Sequence, residues 1–96
     1  MDFMDLHIRI VYKKSPWGVV RDEVTITLNY KDQGVQKGYY KTTVIGVMSF
    51  VIPNISYDLH VKIGSRTYSW YNFKVRPHHH SIEIRYDSQE KECTLN

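Results

Sequence analysis

Three consecutive histidines, His78, His79 and His80, are the part of this 96-residue sequence closest in appearance to a metal site. Side chains alternate in direction along an extended segment, so His78 and His80 are the pair that could share one ion. A structural zinc site takes four ligands. His60, His7, Asp58 or a second chain would have to complete the set, and the spacing around them matches no local ligand motif. The run reads as a histidine-rich polar loop in which His78, His80 and His60 are weak candidates, and no metal or other cofactor is expected. Packed beside Arg76 or Arg85, it would still titrate near neutrality.

Catalytic arrangements are harder to find. Ser49, Ser56, Ser65, Ser69 and Ser81 lack the glycine-flanked elbow that presents a nucleophile. Asp22 and Glu23 are adjacent and solvated, not a spaced pair of acid and base. Gly34 and Gly38 flank polar turn residues and open no helix, so they make no phosphate loop. An enzyme is not expected. Cys93 is the only cysteine, so no internal disulfide can form. That fits a reducing compartment and slightly favours the cytoplasm, and in the polar stretch DSQEKECTLN the thiol is expected to be exposed and able to bridge two chains if oxidised.

Binding chemistry remains. Lys31, Lys37 and Lys41, with Tyr39 and Tyr40 among them, form the basic and aromatic mixture that stacks on bases and meets phosphates in single-strand binders. Arg66, Lys74, Arg76 and Arg85 could extend that patch, and a net charge of +3 permits it. Asp32, Asp58 and Glu83 interrupt the field, however, and lysines on outer strand faces are ordinary protection of sheet edges. Trp17, Tyr39, Tyr71 and Trp70, if exposed together, would suit a sugar ring instead. The leading expectation is a non-catalytic module that docks on another protein or on itself through an edge strand. Trp17, Tyr39, Tyr40, Lys41, Tyr71 and Phe73 would be its contact residues.

These side chains must be held by strands. The stretch from Tyr39 to Ile63 carries the pattern: a polar strand to Val44, an Ile-Gly turn, an apolar strand from Val47 to Ile52, a Pro53-Asn54 break and a strictly alternating strand. In the last of these Tyr57, Leu59, Val61 and Ile63 share one face, and Asp58, His60 and Lys62 the other. Val47–Ile52 is apolar on both faces, which predicts a strand covered twice. Leu6 to Tyr12, Val24 to Tyr30, Thr67 to Val75 and Ser81 to Tyr86 alternate likewise. KDQGVQKG is expected to be a polar loop of hairpin character, longer than a two-residue turn, and Trp17 a lid from a second loop. Tyr68 and Trp70 are assigned inward, which leaves Tyr71 and Phe73 as an exposed pair.

About seven strands at 8–12-residue spacing and no helical period predict an all-β, antiparallel two-sheet sandwich, Ig-like or prealbumin-like, with a small β-barrel as the alternative. One domain over residues 1–96 is expected, with loose tails at 1–5 and 87–96. The apolar fraction of 42% and charged fraction of 24% suit a soluble domain. No apolar run approaches the roughly 20 residues of a membrane helix, and MDFMDLHIRIV has no signal-peptide pattern, so membrane insertion is not expected.

The order IRIVY, VTITLNY, GYYKTTVIGVMSFVIPNISYDLHVKIG and SIEIRYD resembles the transthyretin-like (prealbumin-like) sandwich of carboxypeptidase regulatory-type domains. The shared features are the threonine-rich strand at Thr42 and Thr43, the turn glycine Gly46, the short strand from Phe50 to Pro53 and the tyrosine-led strand from Tyr57 to Val61. Asn54-Ile55-Ser56 stands where that family has Pro-Gly, and its Asp-x-x-Gly turn is missing. The resemblance implies a non-catalytic accessory or adhesion module and carries over no functional residue.

Overall fold

The computed structural model describes residues 3–13, 23–43, 47–74, 81–87 and 90–95. Among them lie eight strands and no helix: β1 (Phe3–Lys13), β2 (Val24–Asp32), β3 (Val35–Thr43), β4 (Val47–Pro53), β5 (Tyr57–Ile63), β6 (Arg66–Phe73), β7 (Ser81–Asp87) and β8 (Glu92–Leu95). They form two four-stranded sheets, sheet A in the order β4-β1-β7-β8 and sheet B in the order β3-β2-β5-β6. The sheets pack as a sandwich and do not close into a barrel.

Alternation builds the core. Leu6, Ile8 and Ile10 of β1, Met48, Phe50 and Ile52 of β4, and Ile82, Ile84 and Tyr86 of β7 point inward from sheet A. Val24, Ile26 and Leu28 of β2 and Tyr57, Leu59, Val61 and Ile63 of β5 meet them from sheet B. Each such side chain contributes roughly 1.5–3 kcal/mol on burial, so the period-2 pattern fixes the register of both sheets.

Several expectations need correction. Sheet A is not wholly antiparallel, because β1 runs parallel to β7 with Ile8 opposite Ile82 and Ile10 opposite Ile84. The tails expected at 1–5 and 87–96 are partly strand: Phe3 to Asp5 pair with β4, and β8 pairs with β7 through Tyr86↔Cys93. KDQGVQKG forms the expected hairpin, but its turn is only two residues long. Gln33 and Gly34 take φ of 52° and 78°, the two positive values that a type I′ turn requires, and Asp32 pairs directly with Val35.

β4 is also not covered twice. It is an edge strand, with Met48, Phe50 and Ile52 buried while Val47 and Val51 are 59% and 64% exposed. In β6, Tyr68 and Trp70 face inward as expected and Tyr71 is exposed, but Phe73 is not its partner. The β5–β6 register shifts between Tyr57 and Leu59, and Asn72 sits at φ 55°. That bulge inserts one residue and returns Phe73 to the inner face, where it packs on the core.

Candidate functional site

Two surfaces distinguish themselves. The first is the outer face of sheet B, where pairing sets Tyr40, Thr27, His60 and Ser69 side by side across β3, β2, β5 and β6. His60 Nδ1 lies 2.7 Å from Ser69 Oγ, and its ring meets Tyr71 edge to face at 6.0 Å. The hydroxyls of Thr25 and Thr42 join at 2.8 Å. Tyr40 and Tyr71 are the exposed rings of this face, on β3 and β6. Three strand spacings of about 4.8 Å separate those strands, roughly 14 Å.

At one end of the same sheet, β2 outruns β5. Their pairing stops at Asn29↔Asp58, whereas β2 stays paired with β3 as far as Asp32. The gap is a cleft of about 250 Å³ lined by Asn29, Tyr30, Lys31, Gln36, Ser56, Tyr57, Asp58 and Asn72. Gly38 faces Asn29 across the strand pair. A Cβ there would stand 2.5 Å from Asn29 Oδ1, so the glycine leaves room for the amide oxygen where it lies. Behind the cleft, Tyr30 contacts Tyr57 edge to face at 5.6 Å and stacks on Tyr39 at 5.9 Å. Burial first, and then the neighbouring Tyr30 hydroxyl, raise the Tyr39 phenol above its usual value, and burial does the same to Tyr57.

The second surface is the outer edge of sheet A. Phe3, Val47 and Val51 account for three of the large hydrophobic side chains exposed among the described residues, and all lie on β1 and β4. The strand VMSFVIP carries no charge. Beside it on β1 stand Asp5 opposite Val51, His7 opposite Ser49 and Arg9 opposite Val47. His7 Nδ1 and Ser49 Oγ are 2.7 Å apart. From the other sheet, Lys41 Nζ donates to the Ser49 carbonyl oxygen and lies 5.3 Å from the centre of the Phe50 ring.

These positions disperse the expected contact set. Tyr40 and Tyr71 share a surface, but Tyr39 faces inward against Tyr30, Phe73 packs on the core, and Lys41 is tied to β4. Tyr39 and Tyr40 could not line one site, since neighbours on a strand point apart. Nor do the basic residues of the described segments converge. Lys31 is on the outer face of sheet B, while Lys37 is bonded to Asp32 at 3.0 Å, which raises its ammonium pKa. Arg66 begins β6 beside Ile63, which pairs with Val24 at the far end of β2. The seven steps from Val24 to Lys31 span roughly 24 Å at about 3.4 Å each. Lys74 is exposed just beyond β6. Trp17, Arg76, His78 and His80 lie outside the described residues, and within them no three His, Cys, Asp or Glu side chains group to hold a metal. No described helix is long and apolar enough to cross a membrane.

Cys93 is half-buried rather than exposed, and burial pushes its thiol up to about 11. Sequence reasoning also missed the cleft residues Asn29, Gln36, Ser56 and Asn72, which come from three strands and the β4–β5 connection and carry no local motif. The edge residues Val47 and Val51 did have a signal, since an uncharged strand apolar on both faces fits an edge awaiting a partner as well as a buried strand. Compared with protein-family models, curated proteins and solved structures, the chain has no match.

Proposed function

We propose that this chain is a non-catalytic assembly module that associates with a second copy of itself through the β4 edge of sheet A. The observation that carries this reading is the exposed, uncharged outer face of β4, with Val47 and Val51 bared and Phe3 beside them. A flat apolar edge invites another strand unless something covers it.

The identity of the partner follows from the pattern of the strand. Read outward from Ser49 in either direction, β4 presents valine at the second position, Val47 one way and Val51 the other. An antiparallel pair of β4 strands centred on Ser49 therefore sets Val47 against the second copy's Val51, twice. β-branched cross-strand pairs contribute roughly 0.2–1 kcal/mol each. The flanking charges agree as well: Arg9 lies beside Val47 and Asp5 beside Val51, so the two-fold axis sets opposite signs along each outer row. Lys41 must release or share the Ser49 carbonyl for the strands to join, which keeps the association weak and conditional.

The resemblance to transthyretin-like accessory modules agrees with this reading. Two four-stranded sheets support it, as does the Pro53-to-Tyr57 step, in which the Tyr57 hydroxyl donates to the Pro53 carbonyl oxygen.

Sedimentation velocity over a concentration series tests the proposal. A monomer–dimer equilibrium on the order of micromolar is expected for a contact at the small end of interface sizes. Val51→Lys should abolish it while the fold survives, because the lysine stands next to Asp5 in the monomer. A wild-type chain that stays monomeric up to its solubility limit overturns the reading.

A further inference from the structure

We propose that the cleft at the end of sheet B binds a neutral, hydroxyl-rich ring, the terminal unit of a saccharide, independently of the β4 edge. Size sets the first limit. About 250 Å³ is below the roughly 300–1,000 Å³ of pockets that enclose drug-sized ligands, so the cleft takes a single ring and leaves the rest of a chain outside.

Chemistry sets the second limit. Asp58 Oδ1 accepts a bond from the Asn72 backbone N–H at 3.3 Å, which fixes the carboxylate and leaves Oδ2 without a partner among the described residues. The side chains of Asn29, Lys31, Gln36, Ser56 and Asn72 likewise make no hydrogen bond to a described residue. Amides and hydroxyls both donate and accept, Lys31 only donates, and Asp58 only accepts. A sugar hydroxyl also donates and accepts, and so can answer every member of that set. An anion cannot, since Asp58 repels it and Lys31 is the cleft's only cation. A flat apolar ligand would leave the polar groups unpaired.

Preorganisation comes from the strands. Asn29 and Asp58 sit opposite each other on β2 and β5, with Gly38 admitting the Asn29 amide, and Asn72 is held by the bulge at φ 55°. Tyr71 directly precedes Asn72 and is 69% exposed, so its ring is available to the part of a chain that leaves the cleft.

The test is a titration of the isotope-labelled full chain, followed by amide NMR, with the methyl glycosides of glucose, galactose, mannose and N-acetylglucosamine. Inorganic phosphate serves as the anionic arm. Saturable shifts confined to Asn29, Lys31, Gln36, Asp58 and Asn72 are expected with at least one glycoside at millimolar concentration. Gln36→Ala and Asp58→Asn should each weaken that binding at least tenfold with the remaining spectrum intact. Gln36 is exposed and asparagine keeps an acceptor for the Asn72 N–H, so both variants should fold. Gly38→Ala, by displacing the Asn29 amide, should weaken binding by a similar factor. The proposal is overturned by shifts with phosphate alone, by no saturable shift with any glycoside, or by binding that Gln36→Ala and Asp58→Asn leave unchanged. Dimerisation at β4 is read separately by sedimentation, so either proposal can fail without the other.

Discussion

The hydroxyl of Tyr57 donates to the carbonyl oxygen of Pro53 at 2.5 Å, across the point where the chain leaves sheet A and enters sheet B. The same oxygen accepts the Ile55 N–H at 2.9 Å, so the turn closes on one carbonyl. Tyr57 is buried and its ring also packs edge to face on Tyr30. Tyr57→Phe removes one hydrogen bond and keeps the ring, and because Ile55 still serves the oxygen the cost should be about 1 kcal/mol. Tyr57→Ala also removes the ring and should cost about 3–5 kcal/mol. Urea unfolding of both variants checks this, and a phenylalanine variant as weak as the alanine one would show that the bond, not the ring, holds the crossover.

Asn72 makes a second, sharper prediction. At φ 55° it occupies the left-handed region, which asparagine tolerates and β-branched residues do not. Asn72→Gly should stay within about 0.5 kcal/mol of wild type, whereas Asn72→Val should lose about 1–2 kcal/mol. The valine variant should also loosen Phe73, visible as increased binding of a hydrophobic dye. Equal stability of the two variants would mean that the bulge does not depend on this conformation.

The half-buried strands β1, β2, β5 and β7 were legible in the sequence for a physical reason. Strands with one face on the core and one in water carry a period of two, and β1, β2, β5 and β7 show it in Leu6-Ile8-Ile10, Val24-Ile26-Leu28, Tyr57-Leu59-Val61-Ile63 and Ile82-Ile84-Tyr86. What failed was anything the period does not encode. A single bulge at Asn72 reverses the phase and hides the inward turn of Phe73. The turn at Gln33-Gly34 lacks the Asn-Gly pair that marks a type I′ hairpin, and parallel pairing of β1 with β7 joins segments distant in sequence. β8 is too short to show a pattern of its own. Of the candidate site, Tyr40, Tyr71 and Lys31 were legible as exposed residues, but the amides that complete the cleft become neighbours only through the register of sheet B.

Cys93 should be a slow thiol. Its burial raises the pKa to about 11, so at neutral pH the thiolate is rarer than in a free cysteine. The higher basicity makes that thiolate somewhat more nucleophilic, and the net effect on alkylation should be a slowing of roughly tenfold or more relative to the urea-unfolded chain. The same shift ties stability to pH. The folded thiol holds its proton more tightly than the unfolded one, so its contribution is complete below about pH 9 and is lost as pH rises toward 11. Tyr57, raised by burial, adds a loss that begins near pH 10. Urea midpoints should therefore be flat from pH 7 to 9 on this account and fall beyond it, less steeply in Cys93→Ser. A thiol that alkylates at the unfolded rate would contradict the half-buried placement.

Lys41 stands between the monomer and its second copy. Its ammonium bonds the Ser49 carbonyl and lies over the Phe50 ring, so it braces β3 against β4 and at the same time sets a charge at the edge that would receive another strand. The two roles can be separated. Lys41→Met keeps most of the apolar stem over Phe50 and removes the charge, so monomer stability should fall by no more than about 1 kcal/mol, since the lost bond is solvent-exposed. Self-association should instead tighten severalfold, because a neutral side chain no longer competes for Ser49 or resists burial. Sedimentation velocity measures the change, and adding Val51→Lys to Lys41→Met should cancel it if the gain runs through β4. If Lys41→Met leaves association unchanged, the lysine is only a brace. If it weakens association, the lysine belongs to the interface and the second copy approaches β4 from the side of sheet B.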